Sequence, residues 1–423
     1  MGTFTKEWAS SLRMAGVACI IGMAIAATAN AQISLYELSR YDLSTTSNAA
    51  NAEFIGSNPV AIGWNGSSMY VAGLNSGTST VNTSLIQITN ASTTASGLIT
   101  PTYSGTFGTL STVTSRGYTG LSLKGNSLAA SWDNGSNSPN GIQMFNAATN
   151  TRTWNLTNNG TSATSNIGTT RGMSGPDFDP GYVVSGTSQG GAGLAWVTQG
   201  QGRRFLNDQT SGTAIYTPTA NNPSGAQQGM IINISPTSTT WRDFAFDPNS
   251  GNLYTRTNNQ VTRTNRTGAN TDLSPSGTAG LSDVIVALTA ANNVGTNLGY
   301  LNSVAAGTVN TYAGDILVYN DRASTATGQA WTSVIQFATT SGSAVSANWA
   351  FINGSAPGTS TALYDFQWDS TSQTLAVVDY ANRTASIFTT SVPEPTTTAI
   401  AGMCTVGLAS LMLRGRRRSE NNS

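Results

Sequence analysis

Hydrophobic residues fall in short runs along most of the chain, and polar residues separate the runs. Between residues 32 and 391 the runs are rich in β-branched and aromatic residues, whereas the spacing typical of amphipathic helices is scarce. The pattern predicts an all-β body over residues 32–391. Asn-Gly pairs suit type I′ turns because both central residues of such a turn have positive φ. We therefore expect hairpin turns at Asn65-Gly66, Asn134-Gly135, Asn140-Gly141, Asn159-Gly160 and Asn353-Gly354.

One pattern recurs along this body: a strand, a polar turn, a second strand, another polar turn and a third strand. It is clearest in the segments that start at Phe244 and Tyr364. The apolar residue after the first turn marks each copy, and successive markers are 55 to 70 residues apart. The six markers are Met69, Leu128, Val183, Leu253, Leu317 and Leu375.

Consecutive meanders at a near-constant period resemble the blades of a β-propeller, and the resemblance implies about six blades. The period exceeds that of common blades, so we expect loops in the low-complexity segments 78–94 and 155–170. We also expect the segment that starts at Ile33 to pair with the last strand near Ile387, because such closure removes exposed edge strands. The alternatives are a parallel β-solenoid and a tandem β-sandwich.

The first 31 residues have the three parts of a secretory signal peptide. Lys6 and Arg13 supply positive charge, residues 14–27 form an apolar core, and Ala29 and Ala31 form an A-x-A cleavage site before Gln32. A membrane anchor would need about 18–20 apolar residues, so the shorter core favours cleavage. A lipoprotein site at Cys19 is a weaker alternative, because the apolar run continues past the cysteine.

The C-terminal segment 392–418 combines an extended motif, an apolar stretch and a cluster of arginines. Pro393 and Pro395 hold the backbone extended on either side of Glu394. Residues 399–413 would form a helix of about 22 Å, which is marginal for a single transmembrane helix. Positive charge stays on the cytoplasmic side of a membrane, so we expect a stop-transfer signal here. Its residues are Arg414, Arg416, Arg417 and Arg418, and a polar tail, 419–423, follows them.

This order resembles the PEP-CTERM sorting domain, a family of exosortase substrates in Gram-negative bacteria that make exopolysaccharide. The motif comprises Val392, Pro393, Glu394 and Pro395. The resemblance implies that exosortase recognises the motif, cuts near it and releases or re-attaches the body at the cell surface. The alternative is an ordinary C-terminal anchor.

Composition excludes several kinds of chemistry. The chain has no histidine, which removes Ser-His-Asp and Cys-His nucleophiles and His-ligated metals. Its two cysteines, Cys19 and Cys404, lie in the terminal segments, so we expect neither a disulfide framework nor a thiolate nucleophile in the body. Basic and acidic residues balance at 19 each, which gives no electrostatic reason to expect nucleic acid as a partner.

Three aspartates lie at the turns of the repeat: Asp179, Asp247 and Asp369. We expect their carboxylates to bind backbone N–H groups as Asx-turns rather than to bind Ca²⁺ or a sugar. A calcium site is a minor alternative for the loop that starts at Asp133 and for Asp177 with Asp179. We expect Trp64 and Trp368 to be core residues between blades rather than sugar-stacking residues.

These observations predict a non-enzymatic, exported protein of the extracellular matrix or biofilm, with a structural or carbohydrate-binding role and no cofactor. The expected partners are the Sec export machinery, exosortase, the membrane through the C-terminal helix, and exopolysaccharide. An extracellular polysaccharide hydrolase or lyase that uses aspartates is the alternative, because Glu37 and Glu53 are the only glutamates of the body. Self-association without a glycan is a third possibility.

Overall fold

The structure is a computed structural model, and it describes most of the predicted body in segments. The described residues are 31–48, 50, 54–75, 83–91, 98–106, 117–133, 140–158, 174–180, 183–184, 187–188, 193–198, 201–206, 229–232, 241–265, 283–288, 297–306, 310–322, 329–360 and 364–391. Residues 1–30 and 392–423, with most of the predicted signal peptide and all of the sorting segment, lie outside this description. In the described part, no helix is long and apolar enough to cross a membrane.

Strands make up nearly all of the regular structure. The first six are β1 (Gln32–Asp42), β2 (Asn58–Trp64), β3 (Met69–Leu74), β4 (Ile86–Ile88), β5 (Leu98–Ile99) and β6 (Tyr103–Thr106). The next ten are β7 (Gly117–Lys124), β8 (Ser127–Asp133), β9 (Asn140–Asn146), β10 (Thr151–Asn158), β11 (Ser174–Asp179), β12 (Val183–Val184), β13 (Thr187–Ser188), β14 (Gly193–Thr198), β15 (Gln201–Leu206) and β16 (Gly229–Ile232).

The remaining strands follow in the second half of the chain. They are β17 (Trp241–Phe246), β18 (Leu253–Thr257), β19 (Gln260–Thr264), β20 (Asp283–Ala287), β21 (Leu298–Val304), β22 (Gly314–Asn320), β23 (Gln329–Ala330), β24 (Ile335–Thr339), β25 (Ala344–Ala350), β26 (Thr359–Ser360), β27 (Tyr364–Asp369), β28 (Thr374–Asp379) and β29 (Thr384–Thr389). One turn of helix, α1 (Trp331–Val334), and a 3-10 turn (Ile352–Gly354) complete the described elements.

Most strands belong to six antiparallel, four-stranded sheets, which we number in chain order. The first sheet contains β2, β3, β4 and β6, the second contains β7 to β10, and the third contains β11, β14, β15 and β16. The fourth contains β17 to β20, the fifth contains β21, β22, β24 and β25, and the sixth contains β27, β28, β29 and β1. In the first five sheets the strands follow one another along the chain, as in a meander.

The six sheets form a ring. The first strand of each sheet contacts the first strand of the next sheet, in the order β2, β7, β11, β17, β21, β27, and β27 in turn contacts β2. Antiparallel meanders whose first strands surround a common axis define a β-propeller. The all-β prediction and the propeller-like arrangement are therefore confirmed, and the solenoid and the tandem sandwich are wrong.

Strand β1 closes the ring, as the sequence predicts. Its second half pairs antiparallel with β29, and Ser39 lies opposite Ile387. Its first half, Gln32 to Tyr36, pairs parallel with β25 of the fifth sheet. One strand from the beginning of the body therefore joins the fifth and sixth sheets, and it covers the edge that β29 would otherwise expose.

The core lies between neighbouring sheets. Trp64 of β2 is buried, and its Nε1 donates a hydrogen bond to Thr374 Oγ1 of β28 at 2.9 Å. Trp368 of β27 is also buried, and its Nε1 donates to the carbonyl oxygen of Asn302 in β21 at 2.9 Å. Each indole thus joins two sheets, which confirms that both tryptophans are core residues between blades.

Five of the six repeat markers lie in the second strand of their sheet, and one does not. Val183 belongs to the separate ribbon of β12 and β13, whereas the second strand of the third sheet is β14. The marker was wrong because a short hairpin with the same polar-turn pattern stands between β11 and β14. The prediction that the low-complexity segments are loops is also partly wrong. Segment 78–94 contains β4, and segment 155–170 contains the end of β10.

The type I′ prediction is wrong for the Asn-Gly pairs that the structure describes. In the pair Asn65-Gly66 only the glycine has a positive φ, which is 88°. Asn140 lies within β9, and Gly354 lies in the 3-10 turn. Four other loops begin with Asp or Asn and have a residue with positive φ four positions later, a geometry that also suits hairpins. These four pairs are Asn146 with Asn150, Asp247 with Gly251, Asp369 with Gln373, and Asp379 with Arg383.

Candidate functional site

A cavity of about 290 Å³ lies where the first strands of the second to sixth sheets meet. Its walls come from β7, β11, β17, β21 and β27, and the turns after three of these strands contribute Pro180, Pro248 and Ser370. Lys124, the last residue of β7, also lines the cavity and is exposed. The cavity therefore lies at the end of the ring where the first strands turn into the second strands.

Three aspartates of the cavity wall hold the first strands of neighbouring sheets together. In each, Oδ1 accepts the N–H of the phenylalanine that follows: Asp177 from Phe178 at 2.8 Å, Asp243 from Phe244 at 2.9 Å and Asp365 from Phe366 at 3.0 Å. In each, Oδ2 accepts an N–H from the next sheet of the ring. The donors are Phe246 at 3.1 Å for Asp177, Leu298 at 2.9 Å for Asp243 and Ile62 at 2.9 Å for Asp365.

Further bonds extend these contacts to all six sheets. Ser122 Oγ of the second sheet donates to Asp177 Oδ1 at 3.3 Å, and the Asn297 side chain, beside β21, donates to the Asp365 carboxyl. We call Asp177, Asp243 and Asp365 the axial carboxyls. Through them the second sheet is joined to the third, the third to the fourth, the fourth to the fifth, the fifth to the sixth and the sixth to the first.

The junction between the first and second sheets uses backbone instead. Leu74 of β3 pairs with Gly117 of β7, so two sheets of the ring share a main-chain contact. A Cβ on Gly117 would lie 2.5 Å from the carbonyl oxygen of Gly73, which is too close for any real side chain. Glycine at position 117 therefore allows the backbones of β3 and β7 to approach.

Burial raises the pKa of all three axial carboxyls, because the charged form loses its hydration. The pKa of Asp177 rises to about 6 and that of Asp365 to about 7. The pKa of Asp243 is raised well above its usual value, first by burial and then by the charge of Asp365, with a smaller effect from Asp177. The Lys124 ammonium lowers the pKa of Asp177, but burial outweighs it.

The cavity wall also offers aromatic surface and neutral hydrogen-bonding groups. Tyr300, Phe366 and Trp368 line it together with Ser122 and Asn302. The Tyr300 hydroxyl is already used, since it donates to Asp315 Oδ2 at 2.8 Å. A mixture of apolar rings with a few fixed polar groups is typical of small-molecule sites. Chemically, this wall can stack against a ring and can hydrogen-bond to hydroxyl groups.

Two of the turn aspartates behave as predicted. Asp247 Oδ1 accepts the N–H groups of Asn249 at 2.8 Å and Ser250 at 3.2 Å. Asp369 Oδ2 accepts the N–H and the hydroxyl of Ser372 at 2.7 and 2.6 Å. The Asx-turn prediction is therefore confirmed for Asp247 and Asp369, and the side chain of Asp179 lies outside the description. No cluster of carboxylates in the described segments has the arrangement of a metal site.

Two of the axial carboxyls were missed in the sequence, although a signal exists. Asp243 and Asp365 each precede a phenylalanine at the start of a repeat, and Asp177 does the same. The aspartates at turns, four residues further on, are the more conspicuous feature of the sequence, because short polar side chains are common at turns. The recurring Asp-Phe pair would have identified all three positions.

Most predicted processing residues fall outside the described part of the chain. The sorting motif from Val392 to Pro395, the arginines from Arg414 to Arg418, and Ala29 all lie there. Gln32 is the first residue of β1, and the carbonyl oxygen of Ala31 accepts a hydrogen bond from the N–H of Ser346 at 2.9 Å. The predicted cleavage site thus directly precedes the closing strand, and cleavage there remains a prediction.

Comparisons with known proteins add little to the description of this chain. No family model matches the chain, and no curated protein sequence matches it. The chain is similar to a solved structure, the β-propeller domain of Cps50 (Swd1) from Myceliophteria thermophila, with 8% sequence identity and a TM-score of 0.38. The match covers 78% of this chain and 96% of that chain. The strand order and the contacts between sheets, rather than this weak likeness, define the chain as a β-propeller.

Proposed function

We propose that the protein is an exported PEP-CTERM protein whose β-propeller body acts outside the cell as a non-catalytic component of an extracellular matrix. In this proposal the signal peptide directs Sec export, and the C-terminal segment holds the body in the membrane until exosortase cuts near Glu394. The body then displays a β surface with few charged residues and binds glycan at the axial cavity. The order of the terminal motifs in the sequence supports the export step.

One observation supports a non-catalytic role for the body. Each axial carboxyl already accepts backbone N–H groups from two sheets. A glycosidase needs one carboxyl that reaches the leaving oxygen and a second that serves as nucleophile or base. Carboxyls that hold the sheets together would have to give up those bonds to act on a substrate. Their arrangement therefore favours a structural role over catalysis.

A hydrolase or lyase is the second candidate, and one observation favours it. Asp243 and Asp365 line the same cavity, and both have a raised pKa, as a general acid needs. The two candidates differ in one measurable respect. An enzyme turns over a polysaccharide, whereas a binding protein retains it unchanged.

A glycan array combined with a hydrolysis assay on the exported protein separates the candidates. We expect bound glycan without release of reducing ends. Lys6 and Lys124 are the chain's only lysines, so in the processed body an amine reagent would label Lys124 and the amino terminus. A glycan in the cavity should protect Lys124 from labelling. Turnover would support the hydrolase, whereas a blank array with self-association in solution would support a purely structural role.

Lys124→Gln tests whether the cavity is the binding site. Lys124 lies at the cavity wall, and Arg152 is an exposed cation of β10 that does not line the cavity. We expect Lys124→Gln to weaken glycan binding and the matched control Arg152→Gln to leave it unchanged. Equal effects of the two changes would contradict binding at the cavity.

Sorting is tested separately at the C-terminal motif. We expect Glu394→Ala to leave unprocessed precursor in the membrane, because it removes the single carboxylate between the two prolines. Glu420→Ala, beyond the arginine cluster, is the control and should mature normally. Unchanged mobility of the Glu394→Ala protein on a blot would contradict sorting through this motif.

A further inference from the structure

The axial carboxyls put like charges together at the centre of the ring. Asp243 is the middle member, since the charges of both Asp365 and Asp177 act on it. Buried carboxylates repel one another far more strongly than exposed ones, because little water screens them. Each of the three also accepts an N–H from a neighbouring sheet, so repulsion among them acts directly on the sheet junctions.

We propose that the ring has a proton-dependent closure, in which Asp177, Asp243 and Asp365 hold the sheets tightly while at least one of them is protonated. When all three are ionised, the junctions beside the cavity loosen. The first strands β11, β17, β21, β27 and β2 are the elements that move apart, because they supply the bonded groups. The closure does not depend on whether the cavity binds glycan.

Few other charges face these carboxyls. Lys124 of β7 is the cation that acts on Asp177, and the charges of Asp365 and Asp177 act on Asp243. For Asp365 the pKa is set by burial and by its own hydrogen bonds. β2 and β14 contain no titratable residue. The titratable or charged residues on the other strands packed against the three are Tyr118 of β7, Asp133 of β8, Tyr254 and Arg256 of β18, Tyr300 of β21 and Asp379 of β28.

Several of these neighbours are committed to other bonds. Arg256 Nη2 donates to the carbonyl oxygen of Asn320 at 2.8 Å, Tyr300 donates to Asp315, and Asp379 accepts from the Asn382 side chain. On the same strands as the three carboxyls, Tyr364 is buried and Asp369 is bonded to Ser372. The side chains of Asp179 and Arg242 lie outside the description. Arg256 keeps its charge but is directed at a backbone carbonyl, and Lys124 is the described cation that acts on an axial carboxyl, Asp177.

The composition makes this closure easy to test. The chain has no histidine, so no imidazole titrates between pH 5 and 8. Ordinary aspartates, lysines and tyrosines also keep their charge in that range. Among the residues that the structure describes, burial raises the pKa of four carboxyls, the three axial ones and Asp379. A change in the ring across this range therefore reports on very few groups.

Amide hydrogen exchange of the full chain at about pH 5 and about pH 8.5, corrected for the intrinsic effect of pH, tests the proposal. The probes are the N–H groups of Ile62, Phe246 and Leu298, which the axial carboxyls accept. The control is the N–H of Leu43, which donates to the carbonyl oxygen of Arg383 at 2.8 Å. We expect protection of the probes to fall at least about tenfold more than that of the control at the higher pH, which corresponds to one pKa unit. Equal changes, or greater protection at the higher pH, would overturn the proposal.

Asp243→Asn identifies the groups responsible, because it removes the middle charge while keeping the shape of the side chain. We expect the pH dependence of exchange at Ile62 and Phe246 to shrink in this variant. Asp369→Asn, in an exposed Asx-turn, and Asp379→Asn are the controls and should retain the dependence. If Asp243→Asn does not fold, exchange in the unmodified protein still decides. Full pH dependence in a folded Asp243→Asn protein would overturn the proposal.

Discussion

Asp365 and Ile62 are 303 residues apart in the chain, and Asp365 Oδ2 accepts the backbone N–H of Ile62 at 2.9 Å. This bond joins the first strand of the last sheet to the first strand of the first sheet. At the outer side of the ring, β1 makes a second connection between the two ends of the body by pairing with β29. The ring is therefore closed twice, once by a side chain near the axis and once by a strand at the edge.

We expect the protein to be more stable at pH 5 than at pH 8. Burial raises the pKa of Asp177 to about 6 and that of Asp365 to about 7. A folded-state pKa above the unfolded value means that the folded state binds more protons. The stabilisation that comes from this extra proton binding is complete below the pKa of the unfolded chain. It is lost as the pH rises through about 6 to 7. Urea unfolding should show a loss of order 1–3 kcal/mol per group between pH 5 and 8. Higher stability at pH 8 would contradict this assignment.

Glu37 should be the most important charged residue of the closing strand. Its side chain is buried, forms an ion pair with Arg40, and accepts bonds from Ser386 Oγ at 2.8 Å and from the N–H of Ile352 at 3.0 Å. Removing one partner of a buried pair leaves the other uncompensated, so we expect Glu37→Gln to lower the free energy of unfolding by about 3–5 kcal/mol. Urea unfolding provides the measurement.

An exposed ion pair of the same protein is the control for Glu37. Asp283 pairs with Arg263 at 3.1 Å, and the two side chains are 40% and 29% exposed. Exposed pairs contribute about 0–1 kcal/mol, so Asp283→Asn should change stability little. A similar loss of unfolding free energy in Glu37→Gln and Asp283→Asn would show that the buried ion pair of Glu37 contributes no more than an exposed pair.

Strand positions and ring closure were predictable from sequence for a physical reason. Ile33 and Leu35 alternate with polar residues, and a strand of that pattern buries its apolar face when it joins a sheet that packs on a core. Joining a sheet also pairs its backbone with an exposed edge. The turns were less predictable. Positive φ falls on Gln373 and Arg383, which have no intrinsic preference for it, because the Asx-turn at the start of each loop sets the backbone.

The axial carboxyls show where sequence-based reasoning fails. Asp365 and Asp369 are four residues apart in one repeat, and both are followed by residues that suit a strand or a turn. One carboxyl is buried at the axis, and the other is bonded within an exposed turn. The Asp-Phe pair marks Asp365 in the sequence, but its burial depends on the approach of a neighbouring sheet, through a contact about 300 residues away in the chain.

The hydrogen bond between Trp64 and Thr374 should couple the first and sixth sheets. Trp64 Nε1 donates to Thr374 Oγ1, and both residues are buried. We expect Trp64→Phe to cost about 1–3 kcal/mol, because it removes both packing volume and the bond. Unfolding of Trp64→Phe, Thr374→Val and the double variant should give a coupling of about 1 kcal/mol. Additive losses would show that packing alone joins the sheets here.

The backbone junction between the first and second sheets should tolerate no side chain at Gly117. Its φ is +106°, and an added Cβ would lie 2.5 Å from the Gly73 carbonyl oxygen and 2.9 Å from Thr83 Oγ1. Gly125 is the matched control, because its φ is also positive, at +57°, but nothing lies within 4 Å of its added Cβ. Both changes to alanine carry the cost of positive φ, about 1–3 kcal/mol. Gly117→Ala should lower the free energy of unfolding by clearly more than Gly125→Ala, because it also forces β3 and β7 apart. Equal losses would mean that the junction can widen without cost to the ring.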